Sequence, residues 1–78
     1  MVKLKACILV KTATGKFGEV INSLTDVEGV KRAFAVMGRT DVVVWAEVNN
    51  LKALRRLTYK IGLNPNVVAS ETLVGMEQ

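Results

Sequence analysis

Six successive segments of this chain alternate in hydrophobic period between that of a strand and that of a helix, and this order constrains the fold more than any other feature. "VKLKACILVK" alternates strictly, with Val2, Leu4, Ala6, Ile8 and Val10 on one side and Lys3, Lys5, Cys7, Leu9 and Lys11 on the other. After the turn chemistry of "TATGK", "GKFGEVINSLTDV" sets Phe17, Val20, Ile21 and Leu24 at helical spacing, with Thr14 as the expected N-cap. Gly18 weakens that helix by about 1 kcal/mol relative to alanine. "EGV" closes it, and "VKRAFAVM" reads as a second strand. In "VVVWAEV", Val42, Val44, Ala46 and Val48 share one face, with Val43, Trp45 and Glu47 on the other. "NNLKALRRLTYKIG" is a second helix capped by Asn50, with Leu51, Leu54, Leu57 and Ile61 as its stripe and Gly62 as its expected left-handed terminator. "NPN" is a turn and "VVASETLVG" the last strand. The order strand, helix, strand, strand, helix, strand predicts a ferredoxin-like α+β fold: an antiparallel sheet with both helices on one face. Residues 1–78 form a single domain in this reading, without linker or low-complexity tract.

Helices on one side leave the other side of the sheet open, and that side carries Cys7, Leu9, Val43 and Trp45 among its charges. A chain of 78 residues buries only about 60–65% of its unfolded surface, yet half of its residues are hydrophobic. Two sheets packed face to face would account for both facts, so the sequence predicts a dimer.

The remaining inventory excludes more than it suggests. The net charge is +4 without any histidine, and the cations at Lys3, Lys5, Lys11, Lys31, Arg32, Lys52, Arg55, Arg56 and Lys60 are scattered. Four aromatics, Phe17, Phe34, Trp45 and Tyr59, give no base-stacking platform, which argues against direct DNA binding. Lys52, Arg55, Arg56 and Lys60 read as a solvated helix face ahead of a dock for an acidic partner. The lone Cys7 excludes an internal disulfide and a cysteine-cluster metal site. No signal peptide or membrane span is evident, so a cytoplasmic setting is expected, with no membrane partner. "TATGKFGE" lacks the first glycine and the Ser/Thr of a phosphate loop, and the acids are dispersed. Neither a catalytic residue nor a cofactor or metal is expected.

That leaves the polar quartet Gly38, Arg39, Thr40 and Asp41 between two apolar strands. As a plain turn, Gly38 supplies a positive φ and Asp41 bonds its own backbone two residues on. As a ligand site, Asp41 offers a carboxylate for an ammonium group, and the turn amides offer donors for a carboxylate. The residues alone leave both readings open.

"VKRAFAVMGRTDVVVWAEV" resembles the segment of Lrp/AsnC-type regulators in which a strand ends in Gly-x-x-Asp and an apolar strand follows. "KIGLNPNVVASETLV" is similar to the close of the same domain, the effector-sensing RAM module, and the likeness spans nearly the whole chain. With nothing before Met1, it implies a stand-alone module without the helix-turn-helix reader. The resemblance further implies sheet-to-sheet homodimers that close into rings of four or five dimers, with amino-acid effectors held between dimers. Carried over by position, Gly38, Arg39, Thr40 and Asp41 form the effector loop, and Ser70 and Thr72 contribute from what should be the neighbouring strand. Asp41 would meet the ammonium, while amides and hydroxyls meet the carboxylate. Val36, Met37 and Leu73 lean the environment toward a branched or uncharged amino acid.

The expected function is therefore an amino-acid-binding regulatory module, not an enzyme, that acts through partners such as full-length Lrp/AsnC-type regulators. The rivals are a cofactorless enzyme of the dimeric ferredoxin-like barrel type and a structural oligomerisation module without a ligand.

Overall fold

A computed structural model describes residues 3–75. The elements are β1 (Leu4–Thr12), α1 (Phe17–Thr25), β2 (Val30–Ala35), β3 (Val42–Val48), α2 (Leu51–Leu63) and β4 (Val67–Val74). All neighbouring strands are antiparallel, in the order β2-β3-β1-β4. This is the ferredoxin-like arrangement the periodicity predicts, with each helix bridging two parallel strands across an intervening one. The expected placement of Val2 lies outside the described residues.

The two alternating runs become the central strands. Ala6, Ile8 and Val10 of β1 and Val42, Val44, Ala46 and Val48 of β3 are all buried. They pack with Val20 and Leu24 of α1 and with Leu54, Leu57 and Ile61 of α2 in one cluster, which places both helices on the same face of the sheet. Full burial of each Val, Leu or Ile among them contributes about 1.5–3 kcal/mol.

Helix α2 is capped as its sequence predicts: the Asn50 side chain, in extended backbone geometry, accepts the Ala53 N–H at 2.8 Å. Its other end differs. Gly62 stays helical, and the helix ends at Asn64, whose φ of −66° and ψ of 123° are extended. Pro65 is the physical cause, because a proline ring clashes with a helical residue before it. Asn64 Oδ1 then accepts the Asn66 N–H at 2.9 Å and closes the turn.

Helix α1 is not capped by Thr14. Lys16 holds the N-cap position without a side-chain cap bond, and Thr14 lies in a turn closed by the Lys16 N–H on the Ala13 carbonyl at 3.0 Å. The expected apolar stripes are also narrower than their spacing suggests. Phe17 and Leu51, each the first residue of its helix, are 48% and 62% exposed. The first turn overhangs the sheet in both cases, and the contact begins one turn later, at Val20 and Leu54.

Two bulges interrupt the ladders, one between Val30 and Arg32 and one between Lys11 and Thr12. Each inserts a residue and resets which side chains face the helices. In β2, Val30 and Ala33 both face the core although they are three residues apart.

Replacing Ile8 by alanine empties a fully buried site on a central strand. Urea unfolding should show a loss of about 2–5 kcal/mol, a large share of the total for so small a domain. Val68→Ala, at a 64% exposed position, should stay within about 0.5 kcal/mol of the parent.

Candidate functional site

The segment 36–41 joins β2 to β3 and is held at both ends. The Val36 N–H donates to the Asp41 carbonyl at 3.0 Å, and the Asp41 N–H donates to the Val10 carbonyl at 3.1 Å. Contrary to the plain-turn expectation, the Asp41 side chain does not bond its own turn; Oδ2 accepts the N–H of Thr12 at 2.8 Å. The cause lies in the ladder. The last β1–β3 pair is Val10 with Val42, so the Thr12 amide lies beyond the paired backbone, and the carboxylate takes the place of the missing strand partner. Thr12 is itself buried. It is the neighbour of Asp41 that sequence reasoning missed; its only signal is a hydroxyl residue at the end of an apolar strand.

Between those anchors the loop is open. Gly38 has a φ of +134°, a conformation that L side chains rarely adopt, and a Cβ there would meet nothing within 4 Å. Glycine is required for its backbone angle and not for space. Among the described residues, no intrachain hydrogen bond takes up the N–H of Met37, Gly38, Arg39 or Thr40. Arg39 is exposed and Thr40 half-buried, while Met37 at the tip is fully exposed. The loop thus sets several available donors beside a carboxylate with unused acceptor capacity, since an ionised carboxylate accepts about four bonds.

Ser70 and Thr72 lie elsewhere in the sheet. Ser70 is opposite Val10 and Thr72 opposite Ile8, on the face that carries the helices. They share that face, as expected, but their strand does not neighbour the loop's strand: β1 lies between. At about 4.8 Å per strand, Ser70 is roughly 10 Å from the loop end of β3. Leu73, opposite Cys7, points to the other face, so it cannot join Ser70 and Thr72 around one ligand. Within one chain, the structure brings Gly38, Arg39, Thr40 and Asp41 together and keeps Ser70 and Thr72 apart from them.

The face without helices carries an apolar patch that draws on all four strands, flanked by Lys5, Arg32, Glu47 and Glu71. Trp45 is opposite Cys7, Val43 lies between Leu9 and Phe34, and Leu73 flanks Cys7. Phe34, Trp45 and Leu73 are 42%, 39% and 49% exposed. The Arg32 guanidinium sits 5.7 Å from the Phe34 ring centroid, at the edge of the patch. Among the described residues, no helix is long and apolar enough to cross a membrane.

The chain is thus an α+β sandwich with an apolar patch on its open sheet face and an acid-bearing loop at one end of the sheet. The chain belongs to the Lrp/AsnC family: the sequence model of the Lrp/AsnC ligand binding domain matches residues 5–78. No curated protein sequence matches. Among solved structures, the chain is similar to hypothetical protein PHS023 from Pyrococcus horikoshii. That match has 34% identity over 96% of this chain and 92% of the other, with a TM-score of 0.87. The match to FFRP-DM1 has 35% identity over 94% of this chain and 99% of the other, with a TM-score of 0.88. Escherichia coli AsnC shares the fold at 17% identity and a TM-score of 0.87. The match covers 96% of this chain but spans only 52% of AsnC. A Neisseria meningitidis transcriptional regulator in complex with L-Met shares the fold at 20% identity and a TM-score of 0.80, over 96% of this chain and 51% of its own.

The Thr12 bond gives Asp41 a structural duty that can be measured. Asp41→Ala should lower stability by about 1–3 kcal/mol by leaving the Thr12 amide without its acceptor. Asp41→Asn keeps an oxygen at that position and should cost less than half as much in the same denaturation experiment.

Proposed function

We propose that this protein is an amino-acid-sensing regulatory module that self-associates and holds its effector at a subunit boundary. The observation that carries the reading is the loop of Gly38, Arg39, Thr40 and Asp41, in which unpaired backbone donors lie beside an anchored carboxylate. A free amino acid presents one cation and one anion, and this loop offers a partner to each. The family assignment supports the reading, as does the L-Met bound by the Neisseria relative of the same fold.

The separation of Ser70 and Thr72 from the loop gives the boundary its role. One small head group does not span the width of β1, so the hydroxyls on the β4 edge are available to an effector held by another subunit's loop. The dimer itself is proposed to form through the Phe34, Trp45 and Leu73 face, with such dimers closing into rings around the effector sites. Effector binding would then shift assembly, and with it a partner such as a full-length DNA-binding relative, provided that the effector prefers one assembly state.

A thermal-shift screen of the twenty amino acids tests the ligand. At about a hundred times Kd the effector should add about 2.7 kcal/mol, which in a domain of this size raises Tm by roughly 10 °C or more. Asp41→Asn, which retains the fold, should remove most of that shift, and Ser70→Ala with Thr72→Ala should reduce it. No shift with any amino acid would refute the reading.

Sedimentation tests the assembly. The parent chain should sediment as a dimer or larger species. Trp45→Glu, which sets a charge into the centre of the apolar face, should yield folded monomers at micromolar concentration.

A further inference from the structure

At the end of the sheet opposite the loop, a cleft of about 460 Å³ opens between the turn at residues 27–29, the β3–α2 connection and one flank of α2. Five cations ring it, Lys3, Lys31, Lys52, Arg56 and Lys60, against the two carboxylates of Glu28 and Glu47. Its floor includes the buried side chains of Val48 and Leu57 beside Gly29. We propose that this cleft binds a small organic polyphosphate, of the class of a nucleoside di- or triphosphate, through Lys52 and Arg56 with Lys3, Lys31 and Lys60 around them.

Three observations carry this beyond a solvated basic face. First, the cations are not neutralised within the chain. Lys52, Arg56 and Lys60 recur every four residues along one flank of α2, the spacing at which like charges repel. Among the described residues the ion pair formed is Lys16 with Glu19, on the other helix. Second, Lys52 stands in the first turn of α2, which contains no acidic residue, so a cation faces the positive end of the helix dipole. Lys60, in the last turn, is favourably placed there, but Lys52 gains from a bound anion alone. Third, the wall is built before any ligand arrives. Gly29 adopts a φ of +97°, its carbonyl accepts the Glu47 N–H at 2.9 Å, and a Cβ at Gly29 would stand 3.1 Å from Val48 Cγ1.

Size and shape select the class of ligand. The volume is within the range of about 300–1,000 Å³ usual for small-molecule sites. An excess of three positive charges calls for more than one phosphate group, and the two carboxylates call for an organic body with hydrogen-bond donors. Glu28 and Glu47 can accept hydrogen bonds from hydroxyl or amino groups on that body. A single-stranded nucleic acid would need a basic groove with aromatic platforms for its bases, and no aromatic residue lines this cleft.

Isothermal titration calorimetry on the full chain tests the proposal with ATP, tripolyphosphate, inorganic phosphate, adenosine and a short DNA duplex as probes. ATP should saturate at one per chain with tripolyphosphate binding more weakly, and phosphate and adenosine should bind at least about tenfold more weakly than ATP. Lys52→Gln with Arg56→Gln should weaken ATP by about tenfold or more, while Lys16→Gln, at the other end of the molecule, should leave it unchanged. The double variant should keep the parent's Tm and its response to amino acids, so failure here is separable from failure of the effector site. The proposal is overturned by no ATP heat at about 5 mM and low salt, where electrostatics are least screened. Undiminished ATP binding by the double variant overturns it too, as does inorganic phosphate or adenosine matching ATP, or binding confined to the DNA duplex.

Discussion

Seven residue pairs run between β1 and β3, from Leu4 opposite Val48 to Val10 opposite Val42, and four of those pairs face the helices. Every buried strand residue of the core except Thr12 belongs to one of those four pairs. Both helices pack on this surface, through Val20 and Leu24 of α1 and Leu54, Leu57 and Ile61 of α2, with Val30 and Ala33 of β2 and Val67 of β4 at its margins. The same pairing fixes the opposite face, because side chains alternate: Cys7 with Trp45 and Leu9 with Val43 become neighbours by the same register that buries Ile8 with Val44. A slip of one residue would exchange the core for the outer face. The register is therefore what holds the fold and what exposes the patch proposed for self-association.

The place where this ladder stops also shapes the loop. Beyond Val10 and Val42 the backbone of β1 continues to Thr12, and the Asp41 carboxylate closes the gap. The Val36–Asp41 backbone bond and this side-chain bond hold the loop at its ends, and the donors from Met37 to Thr40 stay available. An Asp at this position thus serves both readings that the bare sequence left open. It is a turn residue in that it terminates a strand pair, and its remaining oxygen lies beside donors that a tighter turn would have consumed.

Sequence legibility follows how locally each feature is determined. The strands β1 and β3 and the stripe of α2 are set by periodicity over seven or more residues, and the Asn50 cap by chemistry within three. These were readable. Misplaced features depend on a competitor or on partners distant in the chain. Gly62 looked like a terminator until Pro65 proved the stronger constraint, and Thr14 looked like a cap although the chain turns between it and the helix. The two bulges alter face assignments in β2 and β4 and leave no pattern in either strand alone. The gap between Ser70 and the loop is of the same kind, because it depends on which strand lies between them and not on any residue near either.

The molecule is polar in a second sense, along the strands. Strand β3 begins at the acid-bearing loop and ends at the cationic cleft, so its seven residues span the distance between the proposed amino-acid site and the proposed polyphosphate site. Two ligands on one rigid sheet do not influence each other through that sheet, since coupling needs two states that the ligands prefer differently. The available second state is the assembly. A loop that shared its effector with another subunit would respond to association, and a cleft lying wholly within one chain would change association only by altering the charge that neighbouring chains present. Polyphosphate in the cleft would cancel the excess of three positive charges at one end of every protomer. Repulsion between like ends in an assembly then falls, by an amount that salt can screen. On this argument the two ligands act in the same direction, and their coupling should fade as ionic strength rises while the binding of the amino acid alone persists.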